Sequence, residues 1–169
     1  MPVATQAVTR VVARTEAFIG LGANLGDARA AVVEAIARIA SLPQTRLVRQ
    51  SSLYQSVPVD AGGDDYVNAV VEIATALAPL PLLRELQQLE QQAGRQRPYR
   101  NAPRTLDLDI LLYGDMQLDS PDLTLPHPRL WERGFVVLPL AEIAPARVSA
   151  AQRLAVSAGE SGQIVNKLL

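Results

Sequence analysis

The chain has 169 residues, no cysteine and one histidine, and its sixteen basic and seventeen acidic side chains give a formal net charge of −1. This length suits one domain that folds without a disulfide or a structural metal ion. The absence of cysteine excludes thiolate metal sites and cysteine nucleophiles. The charge balance offers no basic field for nucleic acid or an anionic membrane, and no apolar run approaches the roughly 20 residues that span a bilayer.

From this composition we expect a cytoplasmic protein that binds neither nucleic acid nor a membrane. No sequence feature marks an interface between subunits, so a monomer is the default expectation. The basic residues are nearly all arginine, since Lys167 is the one lysine. Arginine presents a planar fork of donors that suits phosphate and carboxylate groups, so the positions of the arginines matter.

The first half of the chain predicts a strand, a helix and two further strands. Residues 1–16 are expected to form a disordered extension, and a single domain is expected over 17–169. The apolar run AFIGL at 17–21 predicts a buried strand, and Asp27 can cap the helix that follows. Residues 46–57 predict a strand or an extended segment, and residues 66–75 predict a strand. One apolar face is expected on the first helix, made by Val32, Val33, Ile36, Ile39 and Ala40.

The second half predicts another helix and strand, followed by shorter elements. Pro79 and Pro81 stand where a helix tolerates proline, and Gly94 is placed to end that helix. Its expected buried stripe consists of Leu82, Leu83, Leu86, Leu89 and Ala93. The segment LDLDILLY at 106–113 predicts a strand. A short strand is expected within 116–126, a short helix within 129–144 and a weakly helical tail from Ser149.

The resulting order, strand-helix-strand-strand-helix-strand, matches the ferredoxin-like split βαβ arrangement. We therefore predict an α+β fold in which helices pack on an antiparallel sheet, with a C-terminal extension. Three glycines, Gly20, Gly22 and Gly26, accompany the first strand. Their spacing is one residue longer than the dinucleotide-binding fingerprint, and no Lys-Ser or Lys-Thr follows as in a phosphate-binding Walker loop. We interpret them as a tight turn from strand to helix.

The densest chemical feature is the segment RQRPYRNAPRTLDLD at 95–109. Four arginines without an acidic neighbour precede Asp107 and Asp109, which share one face of the predicted strand. Their spacing is about 6.5–7 Å along the strand, which suits one or two hard cations bound through oxygen. Together with the arginines, the pair predicts a magnesium–polyphosphate site. The alternative is a solvated strand face whose aspartates pair with nearby arginine.

Two further positions are candidates for ligand contact. His127 lies between Pro126 and Pro128, which fix its backbone, and the alternative is a structural histidine. Phe135 follows Arg133 and Gly134, so it could stack on a planar ligand or belong to the core.

The segment APRTLDLDILLY at 102–113 resembles the signature of the 6-hydroxymethyl-7,8-dihydropterin pyrophosphokinase family. The resemblance continues in GANLG at 22–26, SSLY at 51–54 and DYVNA at 65–69, and then in LPHP at 125–128 and RGF at 133–135. It spans about residues 17–145 in family order. The chain departs from the pattern at Asn101, where members often carry an aromatic residue that Tyr99 could replace, and at Val57, where some members have proline.

The resemblance implies a ferredoxin-like enzyme of folate biosynthesis that transfers the terminal diphosphate of ATP to the pterin hydroxymethyl group and releases AMP. It implies two Mg²⁺ ions, held by Asp107 and Asp109, with Arg95 and Arg104 as further catalytic residues. The implied ATP-binding residues are Gln87, Arg97, Ile110, Thr124, His127 and Arg133. The implied pterin-binding residues are Ser56, Val57, Pro58, Val59, Tyr66, Asn68 and Phe135.

Three other functions remain open on the residues alone. An RNA-binding ferredoxin-like module would need exposed aromatics on its central strands, whereas aromatic residues make up only 4% of this chain. A nucleotidyltransferase or cyclase would share the aspartate pair but would not explain Tyr66, Asn68 or Phe135. A regulatory ligand-binding domain without catalysis would not need both aspartates.

Overall fold

The computed structural model describes residues 12–57, 65–94, 106–157 and 165–168. The elements in these ranges follow in chain order as β1 (Thr15–Ala23), α1 (Ala28–Ala40), β2 (Thr45–Gln50), β3 (Tyr54–Ser56), β4 (Tyr66–Thr75), α2 (Pro79–Gln92), β5 (Asp107–Tyr113), β6 (Leu118–Asp119), β7 (Thr124–Leu125), α3 (Gly134–Ile143), α4 (Ala150–Ser157) and β8 (Val165–Lys167). Two 3₁₀ turns, Leu130–Glu132 and Pro145–Arg147, flank α3.

The main sheet has the strand order β5-β1-β4-β3-β8, and β2 pairs with β4 as well. Every pairing in this sheet is antiparallel. The crossovers β1-α1-β2 and β4-α2-β5 interleave, so that β1 and β4 lie side by side at the centre. This is the predicted split βαβ arrangement, and the α+β fold class is confirmed. β6 and β7 form a separate small hairpin, and β7 contacts β5.

The predicted strand over 46–57 is two strands, β2 and β3, that pair with the same neighbour β4. The interruption lies at Ser51, whose backbone N–H donates to Val70 O (2.9 Å) while its hydroxyl accepts from Val70 N (3.0 Å). A side-chain oxygen thus takes the place of a backbone carbonyl and breaks the regular ladder. Local composition carries no signal for this exchange.

Both chain ends differ from the expectation. β1 begins at Thr15, two residues before the expected start of the domain, and residues 1–11 lie outside the described residues. The tail is helical over α4 as predicted, but it returns as β8 on the open edge of β3. The N–H of Leu168 continues this pairing to Leu53 O (2.8 Å). Edge pairing depends on a distant partner strand, which a short local segment does not specify.

The sheet separates two hydrophobic clusters. One lies under α1 and α2, on the side we call the α1/α2 face, and includes Ile19, Ile73 and Ile110. The other lies under α3 and α4, on the α3 face, and includes Phe18 and Leu140. Among the described residues, no helix is both long and apolar enough to cross a membrane.

The helix ends follow the prediction more closely than the helix faces do. Asp27 Oδ1 accepts from Ala30 N (3.0 Å), and Gly94 follows α2 with a φ of +87°, a conformation that glycine adopts without strain. Val33, expected in the core, is 53% exposed, because α1 buries Val32, Ala35, Ile36 and Ile39 instead. Ala40 and Ala93 are exposed as well.

Candidate active site

The two aspartates lie on the α3 face of β5. They are half-buried and alternate with Leu108 and Ile110, which are buried in the cluster on the α1/α2 face. Since successive strand side chains point to opposite faces, Asp107 and Asp109 share the face that α3 covers. Both take part in polar or electrostatic interactions, so they are not isolated charges. The predicted shared face of the pair is confirmed.

Glycines stand directly opposite both aspartates on the neighbouring strand. In the register of β1 with β5, Gly20 pairs with Asp109 and Gly22 pairs with Asp107. The interpretation of these two glycines as a turn is wrong, because they lie inside β1 and only Gly26, with a φ of +60°, belongs to the turn. At Gly22 the missing side chain leaves a strip of bare backbone beside Asp107, whereas the Leu111 side chain packs over Gly20, 3.3 Å from where a Cβ would stand.

A polar row continues across the sheet from this strip. Gly22 pairs on its other side with Asn68 of β4, and a Cβ added at Gly22 would lie 3.2 Å from Asn68 Oδ1. Asn68 is only 3% exposed, and its Nδ2 donates to Ser56 Oγ of β3 (2.8 Å). Tyr66 is half-buried and pairs with Ser56 in the same ladder. Asp107, the bare strip and the Asn68 amide are therefore consecutive on one face.

His127 and Arg133 lie where this face meets the start of α3. The backbone N–H of His127 donates to Leu111 O (3.0 Å), which ties it to β5. Its Nδ1 accepts from Arg129 N (3.1 Å), and burial lowers the pKa of its imidazole, although the nearby Asp109 carboxylate acts in the opposite direction. A neutral imidazole with Nδ1 as acceptor carries its proton on Nε2, which can donate to an oxyanion.

Phe135 lies in the first turn of α3 and is half-buried against the cluster on that face. The guanidinium carbon of Arg133 lies 5.7 Å from the centroid of its ring. The ring thus belongs partly to the core and partly to a surface that a flat ligand could contact. An arginine beside it places positive charge at the same end of the site.

Glu90 is a residue that the sequence interpretation missed. It is 6% exposed, on the buried side of α2, and its Oε2 accepts from Leu108 N (3.2 Å), between the two aspartates. The signal was available, because Glu90 lies four residues after Leu86 and eight after Leu82, on the buried helical stripe. A carboxylate on such a stripe indicates a buried hydrogen-bond partner.

Several predicted site residues lie away from the aspartate face. Ile110 is 2% exposed in the core of the α1/α2 face, and Gln87 is exposed on α2, so neither side chain lines this face. Thr124 lies in β7, beside β5, and Val57 is exposed just after β3. Arg95, Arg97, Arg104, Pro58 and Val59 lie outside the described residues.

The donor set on this face fits a hard cation. Among the described residues, no cluster of three or more His, Cys, Asp or Glu side chains is placed to hold a metal. Two carboxylates are nevertheless what Mg²⁺ commonly takes from a protein when water and substrate phosphate complete its coordination. Asp107 and Asp109 have the chemistry for this arrangement, and the missing side chain at Gly22 leaves space beside Asp107.

Comparison with known proteins shows the family to which the chain belongs. The family model for 7,8-dihydro-6-hydroxymethylpterin-pyrophosphokinase (HPPK) matches residues 18–145. A 2-amino-4-hydroxy-6-hydroxymethyldihydropteridine pyrophosphokinase from Pseudomonas aeruginosa is 46% identical over 129 residues, 76% of this chain and 80% of the relative. One of the same name from Haemophilus influenzae is 47% identical over 129 residues, 76% of this chain and 81% of the relative.

Solved structures show the same fold at low sequence identity. The wild-type HPPK-DHPS of Plasmodium falciparum superimposes with a TM-score of 0.68 at 13% identity, over 91% of this chain and 43% of that one. The family model matches the chain from within β1 to the end of α3. The chain belongs to the 7,8-dihydro-6-hydroxymethylpterin-pyrophosphokinase family.

Proposed function

We propose that the α3 face around Asp107 and Asp109 is where this pyrophosphokinase carries out its reaction. The enzyme transfers diphosphate from ATP to the hydroxymethyl group of 6-hydroxymethyl-7,8-dihydropterin, a step of folate biosynthesis. The pterin hydroxyl oxygen forms a bond to the β-phosphorus of ATP and gives up its proton to solvent, the bond from that phosphorus to the oxygen bridging to the α-phosphorus breaks, and AMP leaves. The observation that supports this site best is the aspartate pair facing two glycines beside Asn68.

Asp107 and Asp109 would hold the magnesium ions, two of them by the family resemblance. Bound Mg²⁺ would neutralise the charge of the polyphosphate and so lower the barrier for diphosphate transfer to the pterin hydroxyl. The side chains themselves need to do no covalent chemistry, because phosphoryl-type transfer depends mainly on positioning and electrostatic stabilisation. The bare strip at Gly22 leaves space for the reacting groups beside Asp107.

The pterin end of the site is proposed to lie along the row from Asn68 to Ser56. The Asn68 amide, fixed by Ser56, can exchange hydrogen bonds with the polar edge of a flat heterocycle. Tyr66 and Phe135 are half-buried aromatics that can contact its faces, and Val57, Pro58 and Val59 are proposed to complete the wall.

The nucleotide end is proposed to lie toward the start of α3. The Nε2–H of His127 and the guanidinium of Arg133 are donors suited to phosphate oxygens. Arg95, Arg97 and Arg104 remain proposed phosphate ligands, with Arg95 and Arg104 acting in catalysis. Gln87, Thr124 and the backbone at Ile110 are proposed neighbours of the nucleotide. A monomeric state and a cytoplasmic location stay predictions from the sequence.

One assay distinguishes diphosphate transfer from the other group transfers that use ATP. The purified chain is incubated with magnesium, ATP and 6-hydroxymethyl-7,8-dihydropterin, and the products are separated and identified. AMP with the pterin diphosphate is the expected result. ADP with a pterin monophosphate would identify an ordinary kinase, and pyrophosphate would identify a nucleotidyltransferase. Absence of turnover by folded protein would contradict the function.

Phe135→Ala is expected to weaken pterin affinity by about 10- to 100-fold, because the variant loses an aromatic stacking contact. Its affinity for ATP should change by less than about threefold. Binding of each ligand is measured separately by titration calorimetry. Phe135→Leu, which keeps the apolar volume of the half-buried side chain, separates stacking from core packing. Equal losses for both ligands would contradict the assignment of Phe135 to the pterin.

Glu90→Ala is expected to lower the free energy of unfolding by about 2 kcal/mol, because it leaves the buried Leu108 N–H without its acceptor. Turnover should fall as well, since that N–H lies between the two aspartates. Glu90→Gln keeps an acceptor oxygen and should retain most of the stability. Denaturant titration and kcat of both variants provide the measurement. Equal losses of stability and of kcat in the two variants would show that the hydrogen bond to Leu108 does not account for either loss.

A further inference from the structure

Glu142, in the last turn of α3, connects three separate elements. Its Oε1 accepts from the backbone N–H of Ser52 (2.7 Å) and from the Ser52 hydroxyl (2.8 Å). Its Oε2 accepts from the hydroxyl of Tyr54 in β3 and lies 3.5 Å from Nζ of Lys167 in β8. One carboxylate therefore joins the end of α3 to β3 and to the C-terminal strand.

Two of the elements that Glu142 connects, α3 and β3, also carry proposed pterin contacts or their hydrogen-bond partners. Phe135 lies seven residues before Glu142, and seven residues are close to two helical turns, so the two side chains lie on the same side of α3. Tyr54 lies two residues before Ser56, on the same face of β3, and Ser56 accepts from the Asn68 amide. Glu142 thus fixes the strand that orients Asn68 against the helix that carries Phe135.

The hydrogen bonds around Glu142 keep its carboxylate ionised and the Tyr54 hydroxyl protonated. Hydrogen bonds from Tyr54 and Ser52, with the nearby Lys167 ammonium, lower the pKa of the Glu142 carboxyl despite its partial burial. Tyr54 is 7% exposed, and burial with the Glu142 bond raises the pKa of its hydroxyl, so it stays a donor. Hydrogen bonds of this kind, to an ionised acceptor, are the stronger ones.

β3 needs such support because it has only three residues. It pairs with β4 on one side and with β8 on the other, and β8 is also only three residues long. β8 lies beyond the part of the chain that the family model matches, which ends at residue 145. Lys167, the chain's one lysine, is the charged contact between this strand and Glu142.

We propose that Glu142 is a positioning residue for pterin binding, with Tyr54 as its main partner and Lys167 of β8 as a supporting one. It touches neither substrate, and it sets the distance between the Asn68–Ser56 pair and Phe135. This inference rests on the proposed pterin end of the site. It predicts that the carboxylate affects pterin affinity far more than ATP affinity or the chemical step.

Glu142→Gln removes the charge and one acceptor but keeps the size of the side chain. Its dissociation constant for 6-hydroxymethyl-7,8-dihydropterin, and the KM for that substrate, are expected to rise about tenfold, while kcat and the KM for ATP change less than about twofold. Tyr54→Phe should give part of the same change, and the double variant should add little to Glu142→Gln. Circular dichroism and thermal unfolding establish that each variant is folded.

Two matched variants separate positioning from a general loss of stability. Glu34→Gln removes a carboxylate from a surface ion pair with Arg38 on α1 and should leave both affinities unchanged. Lys167→Met should weaken pterin binding about twofold, since the Lys167 side chain is 54% exposed and solvent screens its ion pair with Glu142, and Lys167→Arg should restore it.

Equal weakening of both substrates by Glu142→Gln, or unchanged pterin affinity in the folded variant, would overturn the proposal. If Glu142→Gln does not fold, the pterin and ATP affinities of Tyr54→Phe, compared with those of the wild type, test the proposal by the same criteria. Pterin binding is measured directly on the wild-type chain first. A wild type that binds the pterin but makes no AMP would contradict the proposed function and leave this inference standing.

Discussion

Replacing Asp109 with asparagine is expected to lower kcat for diphosphate transfer by about 10³-fold or more, because removing metal-based stabilisation worth several kcal/mol costs about tenfold in rate per 1.4 kcal/mol. Asp107→Asn should give a loss of similar size. Both variants keep the shape of the side chain and remove only the negative charge that would hold the cation. Single-turnover measurement of AMP release at saturating ATP and pterin gives the rate of the chemical step.

The fold should survive these substitutions, since both aspartates are half-buried on the ligand side and the core residues of β5 are their neighbours Leu108 and Ile110. Asp119→Asn, an exposed carboxylate on β6, is the matched control and should retain full activity. Raising the magnesium concentration should recover part of the lost rate in the Asp107 and Asp109 variants. A loss of less than about tenfold in both would place the magnesium ions on other residues.

The architecture could be predicted because periodicity and order determine it. Alternation in β5 placed the aspartates on one face, and the order of strands and helices led to the split βαβ topology. The break between β2 and β3 could not be predicted, since it depends on Ser51 exchanging bonds with Val70 on another strand. The pairing of β8 with β3 depends in the same way on an edge that exists only in the folded sheet.

The candidate site could be predicted in its residue types but not in its layout. The segment around Asp107 and Asp109 and the family resemblance identified the charged groups. The roles of Gly20 and Gly22 were assigned wrongly, because only the register with β5 shows that they face the carboxylates. Glu90 was missed because its carboxylate is buried by tertiary contacts, although its position on the apolar stripe of α2 indicated this.

Pairing register also explains why this face can be both rigid and open. The strands that carry the glycines and Asn68, β1 and β4, lie at the centre of the sheet with ladder bonds on both sides, and β5, which carries Asp107 and Asp109, is the edge strand that pairs with β1. The backbones of β1 and β4 are therefore held on both sides, while Gly22 lacks the side chain that would otherwise fill the space beside Asp107. Space next to fixed charges is what positioning of two substrates requires.

Gly22→Val is expected to lower kcat/KM by about 100-fold while the chain stays folded, because displacement of a site group by about 1 Å can cost that much. A Cβ at this position lies only 3.2 Å from Asn68 Oδ1, and the branched side chain would fill the strip beside Asp107. Valine suits a strand, so β1 itself should persist. Steady-state kinetics and thermal unfolding are measured on the same preparation.

The matched control for Gly22→Val is Gly114→Ala, at a glycine with a φ of +52° whose added Cβ would meet Thr15 rather than the site. That variant should lose about 1 kcal/mol of stability through backbone strain and keep its kcat/KM. The two substitutions therefore have opposite signatures, one in catalysis and one in stability. Near-normal kcat/KM in Gly22→Val, or a loss that only follows its unfolded fraction, would show that the bare strip beside Asp107 is not needed by the substrates.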